Sequence, residues 1–412
     1  MKRWTYFAGA LLGLLCAAAP PVSAAQITDI YVSGLRRTRP HVVEAPLQRF
    51  VGRYAEDIDL NEVHAVIGDL GVLELLAVEK RYDADGSGKT LALTVRERWS
   101  VFGMPFFSVT PRGWIVGGGV ADTNAFGLRN MLAIAGAYGP NEWFVMPMFI
   151  ATPNAVGDFG WMLASAFGSA NMEHTDQAGE TVLRRFSIFT INPRFGLSYS
   201  LTERMTLGIR LSYNYITLRN NENMINTPAA NRIQSFAISP NIEMRSSAWD
   251  GFLRSENHLS LEYYYGIVFD ADNVQRVSLR AAFNQTIVPG LRATARSGLI
   301  FSSQSATPFF ESGPVFGINI LSPSYSARSY AGLSLGLERY LFRFSLGTVS
   351  VAAAYQAVHS DGALLRNQFD HGPAATLQLY FSRLAIPGIG LGGAYNVRRN
   401  SFQFAFNIGM LF

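Results

Sequence analysis

Apolar residues recur at every second position through most of this chain, and this period of two most constrains what it can fold into. In the final stretch, "SFQFAFNIGMLF", the apolar side chains fall at alternate positions from Phe402 to Phe412. The same alternation runs through "MTLGIRLSYNY" from Met205 and "LSLEYYYGIVF" from Leu259. A period of two predicts β-strands, because successive side chains of a strand point to opposite faces.

The composition of the two faces indicates a membrane barrel. The apolar face is rich in Tyr and Phe, whereas the other face is small or polar and carries less charge than the solvent face of a soluble sandwich. A closed barrel satisfies every backbone group in lipid, and it needs apolar residues outside and polar residues inside. Beyond the N-terminus no continuous apolar run approaches the roughly 18 residues of a membrane helix. Any membrane-spanning part is therefore expected to be β.

Sixteen alternating segments are predicted between Ser100 and Phe412. If both ends of the barrel face the periplasm, the long connections follow odd segments and the short ones, such as "LTER", "VPG" and "SLG", follow even segments. This asymmetry is typical of outer-membrane barrels. The segments are predicted to begin near residues 101, 114, 127, 142, 158, 182, 205, 233, 256, 273, 290, 332, 349, 372, 389 and 401.

The N-terminus is predicted to be a signal peptide over residues 1–24. Lys2 and Arg3 precede an apolar stretch, and "VSA" ends at Ala24 as a small-residue cleavage site. Cys16 would leave with the signal, so the mature chain would lack cysteine and thiol chemistry. Removing Lys2 and Arg3 from the 34 basic residues leaves 32 against 30 acidic ones, which gives no electrostatic reason to expect nucleic-acid binding.

A small domain of order βααββ is predicted over residues 25–98. "ITDIYVSGL" alternates as a strand, and Thr38 and Pro40 open a helix that Gly52 stops. A second helix is expected from Asp59, with Glu62 completing a capping-box-like pair, as far as Gly71. "LAVEKRYDADGSGKTLALTVRER" follows as a hairpin, in which Leu76 and Val78 alternate on the way in.

This order, with "VSGLRRT", "DLGVLELLAVE" and "GKTLALTVRER", resembles a POTRA domain. The resemblance implies a periplasmic module that passes unfolded client segments to the barrel. Strand addition along an open sheet edge would supply sequence-tolerant affinity through main-chain hydrogen bonds. The alternative is an inert plug or spacer.

One POTRA-like domain (25–98) followed by a sixteen-stranded transmembrane antiparallel barrel (99–412) resembles the BamA/TamA superfamily, which includes two-partner-secretion transporters and bacterial surface antigens. The most specific matches are "PFFESG" at residues 308–313 and "SARSYAGLSLGLERYLF". By this resemblance Arg328, Ser329 and Tyr330 form the tip of a loop that folds back into the lumen, where the arginine would pair with an acidic group on the inner wall.

The partner of Arg328 remains open at this point because three positions depart from the family pattern. Ser329 stands where a glycine is usual, and Gln356 and Val358 stand where the family usually has Asp and Gly. Arg328 could pair with Gln356, with Glu338, or with nothing. The closing strand carries the aromatic residues that such barrels present to the insertion machinery, here Phe404, Phe406 and Phe412.

No catalytic residue, metal site or cofactor is expected. Gly332 to Gly336 match the G-x-S-x-G elbow of hydrolases, but that motif needs a strand-to-helix turn and here falls within an alternating strand. His359 and His371 flank Asp361 and Asp370 on one predicted outer loop, where barrel proteases place such residues, although polar loops contain them by default.

The function expected from the sequence is therefore a non-enzymatic outer-membrane barrel that inserts, assembles or translocates polypeptides, or lipid, with its POTRA-like domain in the periplasm. Its partners would be membrane lipid, unfolded client polypeptides at the POTRA edge and accessory periplasmic proteins. Lateral opening between the first and last strands, with residues 303–331 as plug, would be the mechanism. The alternatives are a passive pore or surface antigen, and a barrel enzyme.

Overall fold

The computed structural model describes residues 25–82, 88–110, 113–140, 142–153, 157–176, 180–223, 232–250, 252–269, 271–303, 318–322, 325, 327–361, 367–381, 383 and 389–408. The predicted signal peptide, the "PFFESG" match and Phe412 lie outside these residues. Among the described residues, none of the helices has the length and apolar character needed to cross a membrane.

The N-terminal domain has the predicted order βααββ. Its elements are β1 (Ile27–Ser33), α1 (Pro40–Leu47), 3-10 turns at Gln48–Phe50 and Ala55–Asp57, α2 (Leu60–Asp69), β2 (Leu73–Tyr82) and β3 (Lys89–Glu97). The sheet order is β1-β3-β2, with β1 parallel and β2 antiparallel to β3. Its core contains Val43, Leu47 and Phe50 from the first helical region, Val63 and Ile67 from α2, and Leu91, Leu93 and Val95 from β3.

Two local predictions in this domain were wrong. The Asp59 side chain caps α2 by accepting from the Asn61 N–H at 2.9 Å, but Glu62 does not complete a capping box. Its carboxylate instead accepts from Arg53 Nη1 at 3.1 Å. Leu76 does not share a face with Val78, because a β-bulge between Leu75 and Ala77 shifts the register and leaves Leu76 exposed.

All sixteen predicted segments are strands of one antiparallel sheet, and each begins within a few residues of its predicted start. They are β4 (Val101–Thr110), β5 (Gly113–Ala125), β6 (Asn130–Tyr138), β7 (Trp143–Ala151), β8 (Phe159–Thr175), β9 (Val182–Thr202), β10 (Met205–Asn223), β11 (Arg232–Trp249), β12 (Arg254–Phe269), β13 (Val274–Val288), β14 (Leu291–Ser302), β15 (Ser329–Phe344), β16 (Gly347–Asp361), β17 (Gln368–Phe381), β18 (Ile389–Asn396) and β19 (Ser401–Ile408).

Every strand of this sheet pairs with its sequence neighbours, so the order runs from β4 to β19 without a crossover. Within the described ranges no backbone pairing joins β4 to β19. The sheet is nevertheless curved, since the backbone N–H of Trp99, just before β4, donates to the carbonyl of Arg383 in the β17–β18 connection at 2.9 Å. We call the space enclosed by its inner face the lumen.

The long connections lie at one end of the sheet and the short ones at the other, as predicted. The turns "LTER", "VPG" and "SLG" join β9 to β10, β13 to β14 and β15 to β16. The N-terminal domain lies at this short-turn end, which we call the domain end; the opposite end is the long-loop end. Two strands extend far toward the long-loop end: β8 reaches Thr175 and β10 reaches Asn223.

Candidate functional site

A segment between β14 and β15 folds into the lumen at the long-loop end. Its described residues are 318–322, 325 and 327–328, and we call it the lumen segment. Ile320, Leu321, Tyr325 and Ala327 are at most 2% exposed. They form one apolar cluster with wall residues of β14, β16 and β18, namely Ile300, Val358 and Ala394.

Hydrogen bonds fix the lumen segment to β16 and β18. The Asn319 N–H donates to Gln356 Oε1 at 2.8 Å, and Asn396 Nδ2 donates to the Ile320 carbonyl at 3.2 Å. Tyr325 Oη lies 2.8 Å from Ser360 Oγ. Because these polar atoms are buried, each bond satisfies a group that would be costly to leave unpaired.

The same segment also contacts β8, on the opposite side of the sheet. Thr175 Oγ1 donates to Ser322 Oγ at 3.2 Å, and Thr175 and Tyr325 form an isolated parallel β-bridge. In the strand order, β8 and β16 are separated by seven strands. The lumen segment therefore spans the interior of the curved sheet.

Arg328 pairs with neither of the partners that the sequence offered. Its guanidinium donates to the carboxylate of Asp361, and its backbone N–H donates to the Asp361 carbonyl at 3.0 Å. The register explains this choice, because Ser329 at the start of β15 lies opposite Asp361 at the end of β16. Glu338 is further along β15, roughly 30 Å away at about 3.4 Å per residue.

The other two tip residues lie beside this pair. Ser329 is the first residue of β15 and is half-buried. Tyr330 is buried, and its ring packs edge to face against Tyr325, with centroids 6.2 Å apart and an interplanar angle of 84°. The three predicted tip residues thus lie together at the long-loop end, at the junction of the lumen segment and β15.

Glu338 belongs to a separate buried cluster on the inner wall. Arg292 Nε and Nη2 donate to Glu338 Oε2 at 2.9 and 2.6 Å, and Ser350 and Tyr380 donate to Oε1 at 2.5 and 2.9 Å. The side chains of Arg292 and Glu338 are 5% and 0% exposed. A buried pair with this many hydrogen bonds compensates the cost of removing two charges from water.

Asp370, which the sequence analysis weighed only as part of a loop site, is another anchor at the long-loop end. Its Oδ1 accepts from Asn396 Nδ2 at 3.1 Å and from Arg399 Nε at 3.3 Å. Asn396 is also the donor to Ile320, so this carboxylate orients a side chain that holds the lumen segment. The sequence offered one signal for this anchor: an acidic residue lies on each side of the 362–366 connection, Asp361 before it and Asp370 after it.

The histidines do not form a site with these carboxylates. His359 and His371 lie in β16 and β17 rather than in a loop, and alternation puts them on the outer face while Asp370 is fully buried. The His371 ring lies 5.9 Å from that of Tyr355 and 5.7 Å from that of Phe369. Gly332 to Gly336 lie inside β15, with Ser334 buried. No metal-binding group of three or more His, Cys, Asp or Glu exists in the described part of the chain.

The N-terminal domain docks on the sheet through polar contacts at the domain end. Arg37 pairs with Asp122 of β5, and the Arg39 N–H donates to the carbonyl of Gly127 in the β5–β6 turn at 2.9 Å. Arg49 pairs with Glu203 in the β9–β10 turn. Ser247 Oγ of β11 donates to Asp69 Oδ1 at 2.6 Å. The docked domain therefore reaches turns on different sides of the lumen.

Two titratable groups of the domain lie near this docking region and have shifted pKa values. Burial raises the pKa of the Glu97 carboxyl, but the backbone N–H groups of Thr38, Arg36 and Arg37 donate to it and the net pKa lies below the ordinary value of 4.5. The pKa of His64 on α2 is lowered from 6.5, first by burial and then by the charges of Arg343, in β15, and Arg98. His64 is thus held neutral by its surroundings.

The two edges of the domain sheet differ. The Ile27 N–H of β1 donates to the Arg53 carbonyl at 2.9 Å, and the Gly52 N–H donates to the Ile27 carbonyl at 2.8 Å, so the start of β1 is covered. In the described residues, β2 has no backbone hydrogen bonds outside its pairing with β3. The edge of β2 is the open one.

The described parts of β18 and β19, at one edge of the sheet, have 8 residues each. Phe404 in β19 is 79% exposed and packs edge to face with Phe402, with ring centroids 4.9 Å apart. The side chain of Phe406, like Phe412, lies outside the part of the chain that the structure describes.

Comparison with known proteins gives likeness in structure only. No family model matches the chain, and no curated protein matches it by sequence. BamA from Haemophilus ducreyi lacking POTRA domains 1–3 is 12% identical with a TM-score of 0.54, over 93% of this chain and 84% of that one. CdiB from Acinetobacter baumannii (10%, TM-score 0.57) and from Escherichia coli (12%, 0.58) match over 93% of this chain and 74% and 75% of theirs. The chain has the fold of BamA and CdiB, as the sequence resemblance implied.

Proposed function

We propose that this chain, which has the fold of BamA and CdiB, is an outer-membrane protein that assembles or translocates polypeptides, with its N-terminal domain in the periplasm. The observation that carries the proposal is the combination of this fold with a segment folded into the lumen and an open strand edge on the N-terminal domain. We propose a non-enzymatic role, and the position of the hydrolase-like motif inside β15 rather than at a strand-to-helix turn supports it.

The outer face of the sheet supports a membrane location. Leu333, Leu335 and Leu337 of β15 are all more than 40% exposed, while the residues between them face the lumen. Water would disfavour such a surface by roughly 25 cal/mol per Å² of apolar area, whereas hydrocarbon accepts it. The signal peptide expected at residues 1–24 would bring the chain to the periplasmic side.

The edge between β4 and β19 supports lateral opening. Within the described ranges no backbone pairing joins these two strands, so in that part of the chain no ladder of backbone hydrogen bonds holds the two edges together.

The β2 edge is the proposed site of client capture. An unfolded client could pair with its free backbone groups as an added strand, which requires no particular client sequence. Lys80 and Glu79 lie on this strand, and Glu79 is exposed.

A passive pore or surface antigen is the second candidate, and the bulge at Leu76 favours it. Bulges are one means by which proteins protect an edge strand from pairing with other chains. In that case the bulge prevents clients from pairing with the open edge of β2, and the N-terminal domain is a spacer.

The test combines crosslinking and assembly. A photo-crosslinking residue replaces Glu79 on β2, with Thr28 on β1 as the matched control, and the protein in proteoliposomes receives an unfolded outer-membrane protein. We expect adducts at position 79 and not at 28, and client folding faster than in empty liposomes. Arg328→Ala should raise conductance and slow assembly. No adducts and no acceleration would favour the passive pore.

A further inference from the structure

An arginine and two histidines surround Phe369 on the outer face of the sheet, at the long-loop end. His359 of β16 lies opposite Phe369 in the register, and His371 lies two residues further along β17. Arg398, in the β18–β19 connection, donates from Nη1 to the Phe369 carbonyl at 2.6 Å. Paired residues of adjacent strands are about 5 Å apart and residues i and i+2 about 7 Å, so all three lie within roughly 10 Å of Phe369. We call these four residues the Phe369 patch.

The patch faces outward rather than into the lumen. Phe369 is 47% exposed, His359 and Arg398 are exposed, and His371 is half-buried. Asp370, between the two members on β17, is fully buried on the inner side. The patch therefore belongs to the surface that the proposed membrane location puts against lipid.

The arginine of the patch is not neutralised by a carboxylate. In the described part of the chain, Arg398 bonds to a backbone carbonyl and forms no ion pair. The acids at this end of β16 and β17 have other partners. Asp361 pairs with Arg328. Asp370 pairs with Arg399. Since the carbonyl bond takes only one N–H of the guanidinium fork, the fork can donate to an anion at the surface.

The histidines supply further donors beside the arginine. Tyr355 Oη lies 2.5 Å from His371 Nδ1. In the tautomer in which the hydroxyl donates to Nδ1, the hydrogen of the neutral ring is on Nε2, which can donate to a ligand. The exposed ring of His359 donates through whichever nitrogen carries its hydrogen. Three donor groups thus converge on one exposed patch.

The patch lies at the border between the apolar outer face and the loops. His359 is two residues from the end of β16, and Phe369 is the second residue of β17. Toward the middle of the sheet, Leu333, Leu335 and Leu391 are 44%, 52% and 58% exposed. In a bilayer, acyl chains cover such an apolar surface, and the lipid headgroups lie at its border.

We propose that the Phe369 patch binds the phosphate monoester of a phosphorylated glycolipid, whose acyl chains lie against the neighbouring leucines. Arg398 holds the phosphate by charge and hydrogen bonds, and His359 and His371 donate to its other oxygens. A monoester carries about −1.5 to −2 charges and three acceptor oxygens, which matches three donor groups better than the single charge of a phosphodiester headgroup.

This inference rests on the proposed outer-membrane location, which supplies the lipid on the side of the long loops. Its test measures lipid binding in detergent micelles and uses no client polypeptide. Failure of lipid binding therefore leaves the assembly proposal standing, and failure of assembly leaves the lipid site standing.

The purified full chain is titrated with bisphosphorylated lipid A, and native mass spectrometry gives the ratio of lipid-bound to free protein. The comparison ligands are the same lipid after phosphatase treatment and phosphatidylglycerol, an anionic phosphodiester. We expect bisphosphorylated lipid A to bind about tenfold more tightly than either. Inorganic phosphate at about 10 mM should not displace it, because free phosphate lacks the acyl chains.

Three variants locate the site. Arg398→Gln should weaken binding of bisphosphorylated lipid A about tenfold, and the double variant His359→Gln/His371→Gln should weaken it severalfold. Arg232→Gln is the matched control and should change binding less than about twofold. Arg232 begins β11 at the same end of the sheet, where its guanidinium lies over the Tyr215 ring at 5.4 Å from the centroid.

Four results would overturn the proposal. They are unchanged binding in Arg398→Gln, equal losses in Arg398→Gln and Arg232→Gln, equal affinity for the phosphatase-treated lipid, and displacement of the lipid by inorganic phosphate. The second would mean that general surface charge attracts the lipid, and the fourth that the patch binds free phosphate.

Discussion

The two ends of the lumen are closed in physically different ways. At the long-loop end the lumen segment is buried in an apolar cluster around Tyr325 and Ile320, and its polar groups are bonded to both sides of the sheet. At the domain end, the N-terminal domain is held by polar contacts: the backbone hydrogen bond from Arg39 to Gly127, the buried bond from Asn124 Nδ2 to Thr38 Oγ1 at 2.9 Å, and the ion pairs Arg37–Asp122 and Arg49–Glu203. The side chains of the four ion-paired residues are 18% to 47% exposed.

This difference indicates which closure can move. Burial of large apolar side chains contributes several kcal/mol and is insensitive to salt. Exposed ion pairs contribute about 0–1 kcal/mol each and weaken as ionic strength rises. The domain end is therefore expected to open under mild changes of solution conditions that leave the long-loop end closed.

The largest effect is expected from Tyr325→Ala at the long-loop end. The substitution leaves a cavity in the apolar cluster and removes the bond to Ser360, so we expect a loss of about 3–5 kcal/mol in the stability of this closure. Bilayer conductance should rise, and proteolysis should cut near the lumen segment. Tyr325→Phe, which keeps the packing, should lose only about 1 kcal/mol. Equal losses of stability in the two variants would contradict the explanation that burial of the Tyr325 ring keeps this end closed.

The next effect is expected from Gly127→Ala at the domain end. A Cβ at Gly127 would lie 2.1 Å from the Arg37 carbonyl oxygen, in a backbone conformation with φ +70. We expect the docked fraction to fall about tenfold or more, measured by pulsed-EPR distances between labels at Thr28→Cys and Gln285→Cys.

Gly157→Ala is the matched control for that experiment. Gly157 has φ +87, so alanine meets a similar backbone strain, but nothing lies within 4 Å of its Cβ. This variant should destabilise its own turn by about 1–2 kcal/mol and leave docking unchanged. If both variants release the domain, strain in the sheet rather than the Arg37 contact is responsible.

The sheet could be predicted from sequence, whereas the contacts within the lumen could not. A period of two is a local property, so all sixteen strands from β4 to β19 were found within a few residues of their starts. The partner of Arg328 depends on which residue the register of β15 and β16 places opposite it. Asp361 was considered from the sequence only as a loop residue near two histidines. Its place beside Arg328 follows from the pairing of β15 with β16 along their length.

The edge strand β2 of the N-terminal domain shows the same limit of prediction from sequence. Alternation predicted β2, but it could not show the bulge at Leu76, because a bulge depends on how β2 pairs with β3. The cluster of Arg292, Glu338 and Tyr380 was also missed, since its members come from three strands. Inward-facing charged residues in separate strands were the only signal that sequence could give.

A rise in salt concentration should weaken the domain end and not the long-loop end, with a smaller effect than the substitutions. Raising KCl from about 50 mM to 500 mM shortens the Debye length from roughly 14 to 4 Å and screens Arg37–Asp122 and Arg49–Glu203. We expect the ratio of docked to free domain to fall about three- to tenfold in the EPR measurement, with conductance through the long-loop end unchanged. A docked fraction indifferent to salt would mean that packing, not charge, holds the domain.

Acidification should produce the smallest effect, through His64. Its pKa in the docked state lies below 6.5, partly because of the charge of Arg343 on the sheet, so protonation opposes docking. The contribution is fully present above pH 6.5 and is lost as pH falls below it, whereas Glu97, whose pKa lies below 4.5, matters only in stronger acid.

We therefore expect the ratio of docked to free domain to fall a few-fold between pH 7.5 and 5.5, read from the same pair of spin labels. His64→Gln cannot take up the proton and should remove this dependence while leaving the salt dependence intact. Arg343→Gln should weaken the pH dependence without abolishing it, because burial, the largest cause, still lowers the pKa of His64. Domain release at pH 5.5 that persists in His64→Gln would assign the effect to another group and show that His64 is only a packing residue.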